Sequence, residues 1–82
     1  MTNEEIAEML TKDLALHDVK VKSEGTHFQI IAIDDRFDDM SRVKRQQFVY
    51  APLSELIADG TIHAVTIKTF STAQWQRDKL FN

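Results

Sequence analysis

Histidines are the side chains of this sequence best suited to binding a transition metal, because the chain has three of them and no cysteine. His63 lies in the segment GTIHAVTIKTF, residues 60–70, and His27 lies in THFQIIAI. Each has a structural interpretation, with ring nitrogens bonded to backbone carbonyls or water, and a functional one, as a neutral metal ligand. Stable metal sites usually need about three or four ligands, so any metal must bring others with it.

The remaining histidine, His17, follows the predicted first helix. We interpret it as a favourable charge at the negative end of that helix.

A basic cluster in RVKRQQF is the second candidate for chemistry. Arg42 and Arg45 are three residues apart, with Lys44 between them, so on a helix the arginines can converge on a phosphate or an acidic partner. The alternative is a solvated helix face, neutralised by the flanking aspartates Asp34, Asp35, Asp38 and Asp39. Nucleic-acid-binding proteins normally carry more positive charge than this cluster provides, whereas a role in protein docking remains open.

Catalysis finds no support in the sequence. The chain lacks the nucleophile elbow G-x-S-x-G, the phosphate loop G-x-x-x-x-G-K-S/T and the zinc motif H-E-x-x-H. No pattern pairs a nucleophile with a base, so the sequence predicts a protein that is not an enzyme.

Length and composition predict one small domain covering residues 1–82. The formal net charge is −3, so no global positive field would draw the chain to nucleic acid. The absence of cysteine fits a reducing compartment, and no apolar run is long enough for a membrane span. We therefore expect a cytoplasmic protein without a membrane partner.

The first half of the chain predicts a helix and a hairpin. Thr2 and Glu5 have the spacing of a capping box, and apolar residues recur at helical spacing, which predicts a helix from residue 3 to 16. The alternating run DVKVK and the apolar run HFQIIAI predict two strands joined by a turn at residues 23–25. The polar segment DDRFDD then predicts a loop, with Phe37 inserted into the core.

The second half predicts a broken helix, a strand and a last helix. Pro52 interrupts the helical pattern of residues 40–60, so we expect a kink or two short helices, with Gly60 at the end. The β-branched run TIHAVTIKTF predicts the third strand. Ser71 and Gln74 have capping-box spacing and open a short helix that contains Trp75.

The predicted fold class is α+β, with the order α-β-β-α(α)-β-α and a three-stranded mixed sheet whose helices pack on one face. His63 has the same strand parity as Val65 and Ile67. If that parity faces the helices, His63 is a partly buried residue on the core-facing side, near the rim of the sheet.

Three segments, THFQIIAIDDRF, SRVKRQQFVYAPLSELI and IHAVTIKTFSTAQW, together resemble the BolA family, in its IbaG-type (YrbA-like) bacterial branch. The resemblance covers nearly the whole chain in one register. Its most specific parts are V-x-R-Q-x-x-V-Y at residues 43–50, I-H-A at residues 62–64 and S-x-x-x-W ending at Trp75.

The resemblance implies a class II KH-like fold and partnership with monothiol CGFS-type glutaredoxins. In such a complex the two proteins share a two-iron, two-sulfur (2Fe-2S) cluster. Glutaredoxin and glutathione each give a thiolate, and the BolA-type protein completes the coordination of the second iron. The family's ligand in the third strand falls on His63, and His27 is the second candidate. No cofactor is expected on the isolated chain, which would be a monomer or a weak homodimer. The process implied is iron homeostasis or acid-stress response.

The sequence also departs from the family. Where many members have R-H-R, this chain has Arg45, Gln46 and Gln47, and Asp39 replaces a usual glycine. Members are also described as KH-like transcription regulators, so the alternative function is nucleic-acid binding through Arg42, Lys44 and Arg45. The G-x-x-G clamp of KH domains is absent, and the negative charge argues against this alternative.

Overall fold

The computed structural model describes residues 1–81, and its first element is the helix α1 (Asn3–Leu14). The capping box predicted at its start is confirmed, because the Thr2 amide donates to Glu5 Oε1 at 2.9 Å and the Glu5 amide to Thr2 Oγ1 at 3.1 Å. The helix ends at Leu14 rather than at residue 16. Ala15 adopts a left-handed conformation with φ 52°, which reverses the chain so that Leu16 packs into the core.

The sheet has three strands in the order β1-β2-β3. Strand β1 (Asp18–Glu24) is antiparallel to β2 (His27–Ile33), and β3 (Ala64–Phe70) is parallel to β2. The predicted hairpin is confirmed, but its turn is Gly25 and Thr26, since Glu24 still pairs with His27. Gly25 has φ 61°, a conformation that favours glycine in such a two-residue turn.

The connection from β2 to β3 is helical and is broken at Pro52, as predicted. A 3-10 helix at Asp35–Asp39 precedes α2 (Arg42–Tyr50), a 3-10 turn at Ala51–Leu53 contains the proline, and α3 (Ser54–Ala58) follows. Gly60, with φ 82°, then turns the chain towards β3. None of the helices within residues 1–81 has the length and apolar character that crossing a bilayer requires.

The main core lies between the sheet and helices α1 to α3. Phe37 is fully buried there, as predicted, and its ring meets that of Phe48 edge-on at 6.2 Å. The apolar face of α1 contributes the buried residues Ile6 and Leu10. The other buried residues of this cluster are Leu16, Ile30, Ala32, Val49, Leu53 and Ile62. Burial on this face fixes the register of the strands.

Helix α4 (Thr72–Asp78) adds cover at one end of the opposite face of the sheet. Its capping box is confirmed, because the Ser71 amide donates to Gln74 Oε1 at 2.9 Å. The Trp75 ring packs 5.4 Å from the Phe70 ring and under the Lys20 ammonium. Phe70 pairs with Ile33, and the side chain of Ile33 lies on the face of β2 opposite to the core residues Ile30 and Ala32. The predicted element order and mixed sheet are therefore confirmed, but the helices do not all pack on one face as predicted, since α4 lies on the second.

Candidate functional site

His27 and His63 lie at the same end of the sheet, although they are distant in sequence. Strand β2 begins at His27, and β3 begins at Ala64, directly after His63. The two strands are parallel, with His27 opposite Ala64. Because parallel strands begin at the same edge, the register sets His63 beside the first residue of β2.

His63 is exposed, so its predicted burial on the core-facing side is wrong. The strand alternation begins only at Ala64, and residues 61–63 form a bend before it. Ile62 is the residue that enters the core: it is 1% exposed, and its amide donates to the Leu56 carbonyl at 3.1 Å. That contact leaves the neighbouring imidazole at the surface.

The His63 ring makes no hydrogen bond or ion pair with any residue in the described part of the chain. It therefore lacks the backbone contacts that a structural histidine would make, and an exposed ring can be satisfied by water instead. Both ring nitrogens are accessible to a partner.

The His27 ring is also exposed, but one of its nitrogens is engaged. Nε2 lies 2.8 Å from Thr66 Oγ1, across the β2–β3 pairing. The pair lines a shallow pocket of about 370 Å³ on the open face of the sheet, together with Lys22, Glu24 and Gln29. Nδ1 is the nitrogen of His27 that remains for a ligand.

These donors do not form a closed metal site. No group of three or more histidine, cysteine, aspartate or glutamate side chains within residues 1–81 could hold a metal ion. A metal bound by either imidazole would therefore need ligands from outside this part of the chain.

Arg42 and Arg45 line one cleft, in agreement with their helical spacing, and Lys68 of β3 lines it as well. Lys44 is not among the described residues that line it. The three predicted contact residues are therefore divided: two arginines share a concave surface, whereas Lys44 is exposed elsewhere on α2.

Two of the four aspartates that flank this cluster have other partners. Asp34 instead accepts from Arg36 Nε at 2.9 Å, and Asp35 accepts from the Thr72 hydroxyl at 2.7 Å. These bonds lower the pKa of both carboxyls, with the Arg36 side chain the main cause for Asp34 and the Thr72 hydroxyl for Asp35. No ion pair in the described part of the chain joins the aspartates to Arg42, Lys44 or Arg45.

Sequence reasoning missed Thr66 as a partner of His27. The one available signal was its polar parity on the third strand, the parity that it shares with Lys68. Only the strand register shows that this hydroxyl reaches the first residue of β2.

Known proteins similar to the chain occur in bacteria and in mammals. A family model described as BolA-like protein matches residues 6–74. The chain is 52% identical over 82 residues to the acid stress protein IbaG of Escherichia coli K12, covering 100% of this chain and 98% of that protein. It is 37% identical over 76 residues to BolA-like protein 1 of Bos taurus, covering 93% of this chain and 54% of that protein.

Two solved structures extend the similarity to three dimensions. The solution structure of mouse BolA1 superposes with a TM-score of 0.79 at 28% identity, covering 94% of this chain and 70% of that chain. The BolA domain of SufE1 from Arabidopsis thaliana superposes with a TM-score of 0.72 at 28% identity, covering 87% of this chain and 92% of that chain.

Proposed function

The chain belongs to the BolA family, and from this membership we propose that it is a non-enzymatic partner of a monothiol CGFS-type glutaredoxin, with which it shares or transfers a 2Fe-2S cluster. The observation that carries the proposal is the accessible, unbonded ring of His63, at the end of the sheet where β2 begins with His27. In this role His63 is the ligand that the chain gives to the cluster.

The chemistry of His63 suits a shared cluster. The partner cysteine and glutathione supply thiolates that this chain lacks. An imidazole nitrogen in place of a thiolate raises the reduction potential of a 2Fe-2S centre, as histidine-ligated clusters show. The chain would thereby change the redox properties of a cluster that the partner mainly holds.

His27 is the second candidate ligand, and its geometry limits how it can bind. If Nε2–H keeps its hydrogen bond to Thr66, only Nδ1 can reach iron. Ligation through Nε2 would instead require that bond to break.

Acidification should weaken the complex, because a protonated imidazole cannot bind a metal. This behaviour is compatible with the name of the Escherichia coli relative, an acid stress protein. We accordingly propose a role in iron homeostasis or acid-stress response, in the cytoplasm, where thiols remain reduced.

Reconstitution tests the proposal. The purified chain is mixed with a CGFS glutaredoxin, ferrous iron, sulfide and glutathione, and the product is separated by size. A one-to-one heterocomplex with a visible spectrum distinct from that of the glutaredoxin homodimer supports the proposal. If all of the cluster elutes with the homodimer, the proposal fails.

Nucleic-acid binding through Arg42, Lys44 and Arg45 remains the alternative. Only the two arginines share a cleft, and the net charge of −3 opposes a long polyanion. Fluorescence anisotropy with duplex DNA separates the two functions, because a regulator would bind at low salt and lose affinity steeply as salt rises. Absence of binding at low salt excludes it.

A further inference from the structure

A cleft of about 570 Å³ lies among α2, β3 and α4, away from the histidines. We propose that it docks an acidic peptide segment of a partner protein. Its size is within the roughly 300–1,000 Å³ typical of pockets that bind compact ligands. This proposal goes beyond the cluster-sharing function and does not depend on it.

The charge of the cleft is opposite to that of the molecule. The described residues that line it include three basic side chains, Arg42, Arg45 and Lys68, and one acidic one, Asp78, whereas the chain carries a net charge of −3. Such a local concentration of positive charge favours a compact anionic group.

The two arginines are available for that group. The Arg42 side chain is exposed and has no hydrogen bond or ion pair within residues 1–81. The half-buried Arg45 donates from Nε to the Met40 carbonyl at 3.2 Å, which fixes its guanidinium while leaving the terminal N–H groups as donors. Guanidinium groups bind carboxylates through two parallel hydrogen bonds, so carboxylate side chains are the matching chemistry.

The edge of β3 forms one side of the cleft. Ile67 and Phe70 both line it, although their side chains lie on opposite faces of the sheet. Although β3 is an edge strand, Gln46 Nε2 donates to the Ile67 carbonyl at 2.9 Å. Because that backbone acceptor is occupied, strand addition at this point of β3 is disfavoured, and docking through side chains is the favoured mode.

Exposed acidic groups around the cleft favour a short acidic segment over nucleic acid. Asp38 and Asp39 are exposed directly before α2, and Asp78 lines the cleft itself. A nucleic-acid backbone that extended beyond the cleft would meet Asp38 and Asp39 and be repelled. A short peptide would meet Asp78 alone, against three basic side chains.

The cleft is distinct from the proposed cluster site, because neither His63 nor His27 lines it. At roughly 3.3 Å per residue, its lining residues on β3 begin about 13 Å from His63, at Ile67. Binding at the cleft can therefore be measured without iron or glutaredoxin, and its failure would leave the cluster proposal intact.

The test is fluorescence anisotropy at low salt with a labelled short peptide of alternating glutamate and leucine. The control peptide replaces glutamate with glutamine. Arg42→Gln is compared with Lys44→Gln, because both side chains are exposed on α2 but only Arg42 lines the cleft. We expect saturable binding of the acidic peptide, weakened about tenfold by Arg42→Gln and less than about twofold by Lys44→Gln.

Three results would overturn the proposal: no saturable binding to the wild-type chain, equal weakening by the two substitutions, or tighter binding of a single-stranded oligonucleotide than of the peptide. Equal weakening would mean that binding follows overall charge, and the oligonucleotide result would assign the cleft to nucleic acid. Circular dichroism of each variant checks that its fold is unchanged.

Discussion

Nε2 of His27 lies 2.8 Å from Oγ1 of Thr66, so a hydroxyl of β3 holds the ring of the first residue in β2. Metal-binding histidines commonly donate their second ring N–H to an acceptor, which fixes the tautomer and the ring orientation. Thr66 would serve as that acceptor if Nδ1 of His27 binds iron. The bond exists without a cluster, so its effect on the ring can be measured on the isolated chain.

Thr66→Val should release the His27 ring. Valine has nearly the shape of threonine but no hydroxyl, and residue 66 is exposed, so the free energy of unfolding should change by less than about 0.5 kcal/mol. Nitrogen-15 NMR of the neutral ring should show a changed balance of tautomers. Thr69→Val, on the other face of β3, is the control, and an unchanged His27 spectrum in Thr66→Val would show that the hydroxyl does not set the tautomer.

Asp34→Asn should destabilise the fold at neutral pH. Asp34 is only 8% exposed and accepts from the His17 amide at 3.0 Å and from the Arg36 amide and Nε at 2.9 Å each. Weakening these charge-assisted bonds should lower the free energy of unfolding by about 1–3 kcal/mol, measured in urea. Asp39→Asn, at an exposed position, should cost much less.

The effect of Asp34 should depend on pH in a defined direction. The pKa of its carboxyl in the folded protein is lowered from 3.8, chiefly by the side-chain bond from Arg36. The stabilising contribution of Asp34 is therefore complete above the pKa of its carboxyl in the unfolded chain. It is lost as the pH falls through the lower pKa of the folded protein. The difference between wild type and Asp34→Asn should shrink below pH 3.8, and a constant difference would contradict this account.

Phe37→Ala should remove much of the stability of the fold. The side chain is fully buried in the main core against Phe48. Such a truncation costs about 3–5 kcal/mol, and a chain of this size has about 4–12 kcal/mol in total. The urea midpoint should fall strongly, with a smaller fall for Phe48→Ala, which is only half-buried. A cost below about 1 kcal/mol for Phe37→Ala would be inconsistent with its burial.

Ala15→Gly should stabilise the protein. Ala15 has φ 52° at the end of α1, where glycine avoids the Cβ clash, so the gain should be up to about 1 kcal/mol in thermal unfolding. Ala7→Gly, inside the same helix, should do the opposite by about 0.5–1 kcal/mol. Destabilisation by both substitutions would show that the left-handed conformation at residue 15 carries no strain.

Local physical chemistry made most of the fold predictable. The capping boxes at Thr2 and Ser71 involve neighbours three residues apart, and the break at Pro52 follows from its missing amide. Phe37 was predicted to be buried because it is the only apolar residue among aspartates and an arginine. The early end of α1 was not predictable, because it needs the Arg36 guanidinium, which donates to the Leu14 and Ala15 carbonyls.

The sequence identified His63 and His27 as candidate ligands, and that role stays a prediction. Their placement at the same end of the sheet could not be predicted, because it depends on the parallel pairing of His27 with Ala64. The predicted burial of His63 failed because strand parity was extended one residue beyond the strand. Lys68 lines the cleft together with Arg42 and Arg45, and the Thr66 hydroxyl lies beside the His27 ring. Both arrangements arise only from the tertiary structure.

Visible circular dichroism of the reconstituted glutaredoxin complex tests the ligand assignment most directly. His63→Ala is compared with wild type and with His17→Ala, because His17 is also exposed but lines a pocket with Ile33, at the other end of β2 from His27. We predict that His17→Ala keeps the wild-type spectrum and that His63→Ala loses it. An unchanged spectrum in His63→Ala would contradict the assignment of this histidine as the cluster ligand.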